Sequence, residues 1–419
     1  MDINMNQEYF PHFSDVRSLV KTLQPNYPVY CVRPKFIQQT AENFISQFAG
    51  TVMYAVKCNP HPLVLNALSS GGIKQFDVAS QSEIAQIFNT YRTSPHFMHP
   101  VKNREAIRIA YFKYGVRYYA VDHLDELEKI VQEIGTDPNV VIVTRVKTPE
   151  SDSCLYHLAK KFGAEPEEAA KLMQTTEKYG LKAGITFHVG SQCTDPKLYG
   201  KALNIVGEVL DYANIEPTCV DVGGGFPAAY PGTKVAPLEK YMLEIKNGLD
   251  RINLASSVQI LAEPGRALVA SGCSLIVQVL LRKSNQLYIN DGIFGALSEL
   301  LDSETVLLSQ LIRPDDSVSD ELEEFSICGV TCDSTDMIPC NFKLPKDVRE
   351  GDWIEIDQVG AYSNALSTRF NGFYSKSFAC VYDEPMSVCS SKNKNKNKNN
   401  FSRQKNKLKQ IKEMKEICI

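Results

Sequence analysis

Long apolar runs are missing from this sequence. Met1 to Ser14 is polar and broken by Pro11, so it lacks the apolar stretch of a secretory leader. Nothing approaches the roughly 20 apolar residues of a membrane-spanning helix. The most apolar candidate, Cys273 to Leu281, has the length of a strand and contains Gln278. Paired C-x-x-C knuckles are also missing. Neither Cys328, Cys332 and Cys340 nor His96 and His99 form a metal-ligand pattern, and no metal is expected. The twelve cysteines are therefore expected to be free thiols in a reducing cytoplasm, most of them small buried apolar residues. No repeat of roughly 20–50 residues recurs, which excludes a solenoid or propeller.

What remains is an ordinary globular composition, 43% apolar and 22% charged. The 419 residues are enough for two domains. The net charge of -4 hides an asymmetry. From Met386 onward ten Lys/Arg face two Asp/Glu, so a tail of +8 leaves about -12 on the body. An acidic body steers cationic small molecules toward itself. Neither nucleic acid nor a membrane span is expected as a partner. The tail contains Lys392-Asn-Lys-Asn-Lys-Asn-Lys-Asn399, too polar to bury a core. Leu408, Ile411 and Cys418 then recur at helical spacing among lysines. A solvated helix and a basic amphipathic segment for a surface or partner, over 392–419, both fit.

Short apolar strands recur along the body: Thr51–Val56, Gln75–Ala79, Tyr118–Val121, Val140–Val146, Gly184–Val189, Cys219–Val222 and Gln259–Ala262. Amphipathic stretches such as Pro62–Leu68, Ser82–Phe88, Leu124–Ile134, Leu198–Ala213 and Leu238–Leu249 separate them. Strand–helix alternation of this regularity predicts a parallel sheet, and seven or eight units predict a closed (β/α)8 TIM-like barrel. After Gly265 the rhythm changes. Ser274–Leu281, Leu287–Ile289, Glu324–Cys328 and Trp353–Ile356 follow without long helices between them. The fold class is thus α/β, a barrel plus a mostly antiparallel β domain. Val29–Val32 precedes the barrel and is expected to join that second domain. The boundaries read as 1–34, 35–268, 269–385 and 386–419.

Chemistry-bearing residues cluster at the strand ends, where barrel active sites lie. Lys57, in Tyr54-Ala-Val-Lys-Cys-Asn, enters the barrel mouth and can form a Schiff base with an aldehyde. Phe187-His-Val-Gly-Ser brings a flat imidazole, His188, and a hydroxyl, Ser191. Asp221-Val-Gly-Gly-Gly-Phe places Gly223, Gly224 and Gly225 where backbone N–H groups can approach an anion. Glu263-Pro-Gly-Arg adds a carboxylate able to pair with a protonated pyridine and, in Arg266, a fork for phosphate. In the second domain, Thr331-Cys-Asp puts the thiol of Cys332, a proton donor, beside the carboxylate of Asp333, an ammonium binder. Taken singly, each has a bland alternative: a surface lysine, a core histidine, an ordinary loop.

Their order is not bland. YAVKCN, FDVAS from Phe76, FHVGSQCTDP from Phe187, DVGGGFP from Asp221, EPGR from Glu263, NDGIFG from Asn290, TCDSTD from Thr331, and GAYS with FNGF from Gly360 to Phe373 together resemble the fold-type-III pyridoxal-phosphate-dependent decarboxylases of ornithine, lysine and arginine. The resemblance runs over roughly residues 25 to 385. It implies an alanine-racemase-like barrel and pyridoxal 5'-phosphate as cofactor. It implies that Lys57 carries the cofactor, that Ser191, Gly223 to Gly225, Arg266 and Tyr362 hold its phosphate, that Glu263 pairs with its ring nitrogen, and that His188 stacks on the ring. Asp77, Glu83 and Arg145 match supporting positions near the cofactor. Cys332 is implied as the proton donor and Asp333 as a binder of the distal ammonium, both reaching the site of a second copy in a homodimer. The implied reaction is decarboxylation of ornithine to putrescine, a step of polyamine synthesis, with lysine or arginine as alternative substrates. Val330 stands where the family commonly has Pro, and Phe294 where it often has Tyr. The loop Leu297–Asp302 is nearer to bacterial members, and either Glu299 or Asp302 supplies a second carboxylate for the distal amine. Two competitors share the fold: a racemase, against which TCDSTD argues, and a non-catalytic binder of a regulator of polyamine synthesis.

Overall fold

The structure is a computed structural model that describes residues 10–156, 160–301 and 305–389. Asp302 and the basic segment 392–419 lie outside the described residues.

Eight parallel strands close into a barrel. In chain order they are Thr51–Ala55, Gln75–Val78, His96–Phe97, Tyr118–Val121, Val141–Arg145, Lys182–Thr186, Cys219–Asp221 and Gln259–Ala262. The last strand returns to the first, with Leu261 opposite Thr51 and Ala262 opposite Val52. The third strand is only two residues long, too short to show alternation in the sequence. Helices cover the outside, each with local reasons to start and stop. Leu124–Ile134 opens on the His123 cap, carries Asp125 and Glu126 in its first turn, ends at Gly135, and turns Leu127, Ile130 and Ile134 inward.

Side-chain alternation decides what faces the barrel interior. Met53, Ala120, Val141, Val143, Cys219 and Leu261 form a small apolar cluster there. Their neighbours Val52, Tyr54, Tyr119, Ile142, Val220 and Ala262 belong to the large core beneath the helices. Two residues further along the same inner faces stand Ala55, Arg145, Asp221 and Glu263. Asp77 faces inward too, since Phe76 and Val78 belong to the outer core. The interior is thus apolar below and charged at the C-terminal mouth.

The remaining strands form a nine-stranded sheet around Cys273–Lys283. This strand pairs antiparallel with Val29–Val32, Gln286–Ile289 and Trp353–Ile356. Val29–Val32 is therefore a strand of this sheet although it precedes the barrel along the chain. The sheet also holds parallel pairs: His12–Phe13 with Ser377–Val381, Ser377–Val381 with Val29–Val32, and Gln286–Ile289 with Leu322–Cys328. Arg33 fastens the chain ends together, donating to Glu355, Asp383 and Ser274, each at 2.9 Å. Cys31, Cys58, Cys154, Cys193, Cys219, Cys273, Cys328 and Cys380 are buried, whereas Cys332 is exposed. The sheet domain reaches the barrel mouth through Gly360–Tyr362: Asn59 Nδ2 donates to the Gly360 carbonyl, and Tyr362 N to the Cys58 carbonyl, both at 2.9 Å. No helix among the described residues is long and apolar enough to cross a membrane.

Candidate active site at the barrel mouth

A cavity of about 370 Å³ opens at the charged end of the barrel. Lys57, Asp77, Arg145, His188 and Glu263 line one end, and Ser191, Arg266, Glu299 and Tyr362 the other.

Lys57 enters because the first strand breaks into a single 3-10 turn, Val56–Cys58. Its Nζ donates to Asp77 Oδ2 at 2.7 Å. Burial works against the ammonium, but the Asp77 and Glu263 carboxylates outweigh it and raise its pKa above the ordinary lysine value. Glu263 is itself raised well above the carboxylate range, by burial first and then by Asp221 and Asp77. Asp221 is pushed up to about 6 by burial, although hydrogen bonds restrain the shift. Its carboxylate accepts from Gly223 N at 2.9 Å and from Thr186 Oγ1 at 3.1 Å, and it shares a hydrogen bond with Glu263. Burying two neighbouring carboxylates favours the protonated form, of Glu263 above all.

His188 stays neutral, pushed well down by burial and by the neighbouring Arg145 and Lys57 charges. Its Nδ1 accepts from Gly190 N at 3.0 Å, which fixes the ring. The glycine run explains how the strand ends converge here. A Cβ at Gly223 would stand 2.0 Å from the Phe187 carbonyl oxygen. One at Gly224 would stand 2.6 Å from the Glu263 carbonyl oxygen and 3.1 Å from His188 Nε2. Side chains here would separate the segments that carry His188 and Glu263.

The other end is built to hold an anion. Arg266 follows the Glu263-Pro-Gly turn with its side chain buried. It donates to Tyr230 Oη at 2.9 Å and to Ser191 Oγ at 3.3 Å. Both Nη atoms also donate to the Glu299 carboxylate, Nη1 to Oε2 at 2.9 Å. The Arg266 Nε is buried without a hydrogen-bond partner. The Tyr362 ring lies 5.0 Å from the guanidinium. Tyr362 has φ 54, a left-handed backbone that a bulky residue adopts only under constraint. A guanidinium fork, a hydroxyl and an unpaired N–H around a seated carboxylate suit a phosphate.

Not every predicted residue arrives. Arg145 does, lining the cavity with its guanidinium 5.3 Å over the Phe162 ring and burial lowering its pKa. Glu83 does not line the cavity; its carboxylate accepts from Ala79 N at 2.6 Å and so positions the segment after Asp77. Gly223 to Gly225 shape the walls through packing. Glu299 pairs with Arg266, and Asp302 lies outside the described residues. Cys332 and Asp333 are not brought to Lys57 within one chain. Cys332 Sγ instead sits 3.3 Å from Asn371 Oδ1, and Asp333 accepts from Thr335 N at 2.8 Å. Sequence reasoning missed Asp221 and Tyr230. Strand parity from Cys219 was a usable signal for Asp221, whereas Tyr230 lies in an irregular segment with no period to read. His96 stacks on Tyr118 at 4.0 Å, and His99 Nδ1 accepts from Val101 N at 3.0 Å.

Residues 35–270 match the family described as pyridoxal-dependent decarboxylase, pyridoxal binding domain. Ornithine decarboxylase of Schizosaccharomyces pombe is 33% identical over 349 residues, 78% of this chain and 77% of that protein. Antizyme inhibitor 2 of Xenopus laevis is also 33% identical, over 346 residues, 76% of this chain and 73% of that protein. The crystal structure of the Paramecium bursaria Chlorella virus arginine decarboxylase bound to agmatine superposes with a TM-score of 0.79 at 27% identity, covering 87% of this chain and 99% of that one. With a buried acid pair, an anion seat and a lysine converging in one barrel mouth, the chain belongs to the fold-type-III decarboxylases of ornithine, lysine and arginine, and its cofactor is pyridoxal phosphate.

Proposed function

We propose that this chain decarboxylates L-ornithine to putrescine, with lysine and arginine as the alternative substrates. The carrying observation is the Lys57 Nζ, 2.7 Å from Asp77 and in the same cavity as Glu263 and the Arg266–Ser191 seat. Bound pyridoxal phosphate supplies an aldehyde for amines and an electron sink for the pair left behind as CO2 departs. The protein's own groups do the rest. Lys57 would be the amine that holds the cofactor. Glu263, backed by Asp221, keeps a proton at the ring nitrogen. Neutral His188 stacks on the ring without adding a competing charge. Arg266, Ser191, Tyr362 and the backbone of Gly223 to Gly225 hold the phosphate. Asp77 orients Lys57, while Arg145 and Glu83 support the floor.

Cys332 delivers the proton to the substrate Cα, and Asp333 binds the distal ammonium. Both come from a second copy in a homodimer with shared sites. The exposed Cys332 thiol supports this reading, as does the apolar surface beside it, with Phe370 41% and Phe373 44% accessible. The enzyme works in the cytoplasm. The tail 392–419 is read as a solvated basic segment that can also bind a partner or surface, and turnover measured after deleting 387–419 decides whether it bears on catalysis.

Ornithine and lysine differ by one methylene, worth only about 1–3 kcal/mol of discrimination. A panel of ornithine, lysine, arginine and diaminobutyrate, ranked by kcat/KM, decides the substrate; a higher value for lysine or arginine replaces ornithine. Lys57→Ala is expected to abolish CO2 release and the cofactor's visible absorbance while the fold is retained. Full turnover in Lys57→Ala removes the central claim. A folded wild-type chain that binds cofactor yet turns over none of the four substrates favours a regulatory binding protein.

A further inference from the structure

The anion seat at Arg266 is filled from within the chain. Glu299 belongs to a single turn, Ser298–Leu300, in the connection that follows Gln286–Ile289. Its carboxylate spans the guanidinium fork, with Oε2 2.9 Å from Nη1 and Oε1 against Nη2. Ser191 Oγ approaches the same Nη2 at 3.3 Å, so the carboxylate lies where a second anion would meet both groups. Arg266 is 3% accessible and Glu299 17%, which places this pair at the inner edge of the cavity rather than on the surface. The Glu299 carboxylate takes both Nη atoms, which also serve Tyr230 and Ser191, and leaves only Nε unpaired, so a phosphate seated on the Nη pair must displace it. Burying the guanidinium with no anion at all is the costly alternative.

We propose that Glu299 is an internal competitor for the cofactor phosphate. It compensates Arg266 and holds it in the binding orientation while the seat is free of phosphate, and it leaves the fork when phosphate enters. The Glu299 carbonyl accepts from Tyr156 Oη at 3.4 Å, and the following Leu301 is 56% accessible. Leu297 and Leu300 on either side of Glu299 are buried, so displacement swings the Glu299 side chain out and loosens the turn between these two anchors. The inference rests on the proposed assignment of Arg266 and Ser191 to the phosphate.

The test uses the full chain freed of cofactor, as wild type, Glu299→Gln and Ser191→Ala. Pyridoxal phosphate and unphosphorylated pyridoxal are titrated by absorbance, and inorganic phosphate by thermal shift. Removing the competing charge is expected to tighten pyridoxal phosphate binding on the order of tenfold and to leave pyridoxal unchanged. Inorganic phosphate should raise the melting temperature of Glu299→Gln at concentrations that leave the wild type unmoved. In the wild type, which needs no variant to fold, amide exchange over 296–301 should quicken when pyridoxal phosphate binds. Unchanged or slowed exchange there, or equal phosphate affinity in Glu299→Gln, overturns the proposal. If Ser191→Ala is weakened while Glu299→Gln equals the wild type, the seat stands and the competitor falls. If neither variant changes phosphate binding, the assignment of the seat itself fails.

Discussion

Asp221 has no solvent contact and shares its hydrogen bonding with Glu263, Gly223 and Thr186. Burial moves its pKa from 3.8 up to about 6. An acid that holds its proton more tightly when folded adds stability below its unfolded pKa and loses it as pH rises through the folded one. The cofactor-free chain should therefore lose up to about 3 kcal/mol between pH 3.8 and 6 from this one group. Asp221→Asn should remove that part of the slope. Urea unfolding across this window checks it, and identical slopes in both chains deny the raised pKa of Asp221. Saturating pyridoxal phosphate should flatten the wild-type curve as well, since a protonated ring nitrogen compensates the carboxylates.

At the scale of elements, the site depends on strand ends that nearly touch. Gly224 lies between the segment carrying His188 and the strand end carrying Glu263. A methyl group there meets backbone at 2.6 Å, so one of the two must move. Gly224→Ala is expected to weaken pyridoxal phosphate binding by roughly tenfold or more, because misplacing site groups by a fraction of an ångström is felt directly. The barrel itself should survive. Absorbance titration beside far-UV circular dichroism separates the two effects, and wild-type affinity would show that the loops relax. The elements were unequally legible. Long periodic helices such as Lys197–Ala213 and strands such as Val141–Arg145 announce themselves by their spacing. His96–Phe97 does not, because two residues carry no period. Ser309–Ile312 is a strand only because Trp353–Ile356 lies beside it.

At the scale of the whole molecule, one chain holds Lys57 in a cavity and leaves Cys332 and Asp333 on its surface. On the proposed reading, a second copy supplies them. Mixing Lys57→Ala with Cys332→Ala chains then rebuilds an intact site in the mixed dimer. Equal amounts should recover about a quarter of wild-type turnover, the share expected from random pairing in a two-fold dimer. Recovery no greater than the two variants measured apart would place Cys332 outside the partner's site.

The sequence by itself determined the alternation of strands and helices, the change of rhythm after Gly265, and the identity of the groups that meet at the mouth. Lys57, His188, Glu263 and Arg266 were readable because local rules place them: each follows a strand, and strand ends gather on one face of a barrel. The tertiary structure alone decided which of these groups touch. That Asp221 hydrogen-bonds Glu263 depends on two strands 40 residues apart pairing in one register, Leu261 opposite Asp221. That Glu299 lies on Arg266 rather than toward a substrate amine depends on how the second domain folds over the mouth. Spacing along a chain reports periodicity within elements; charges, whose interactions fall off with distance in space, are settled only once those elements have packed.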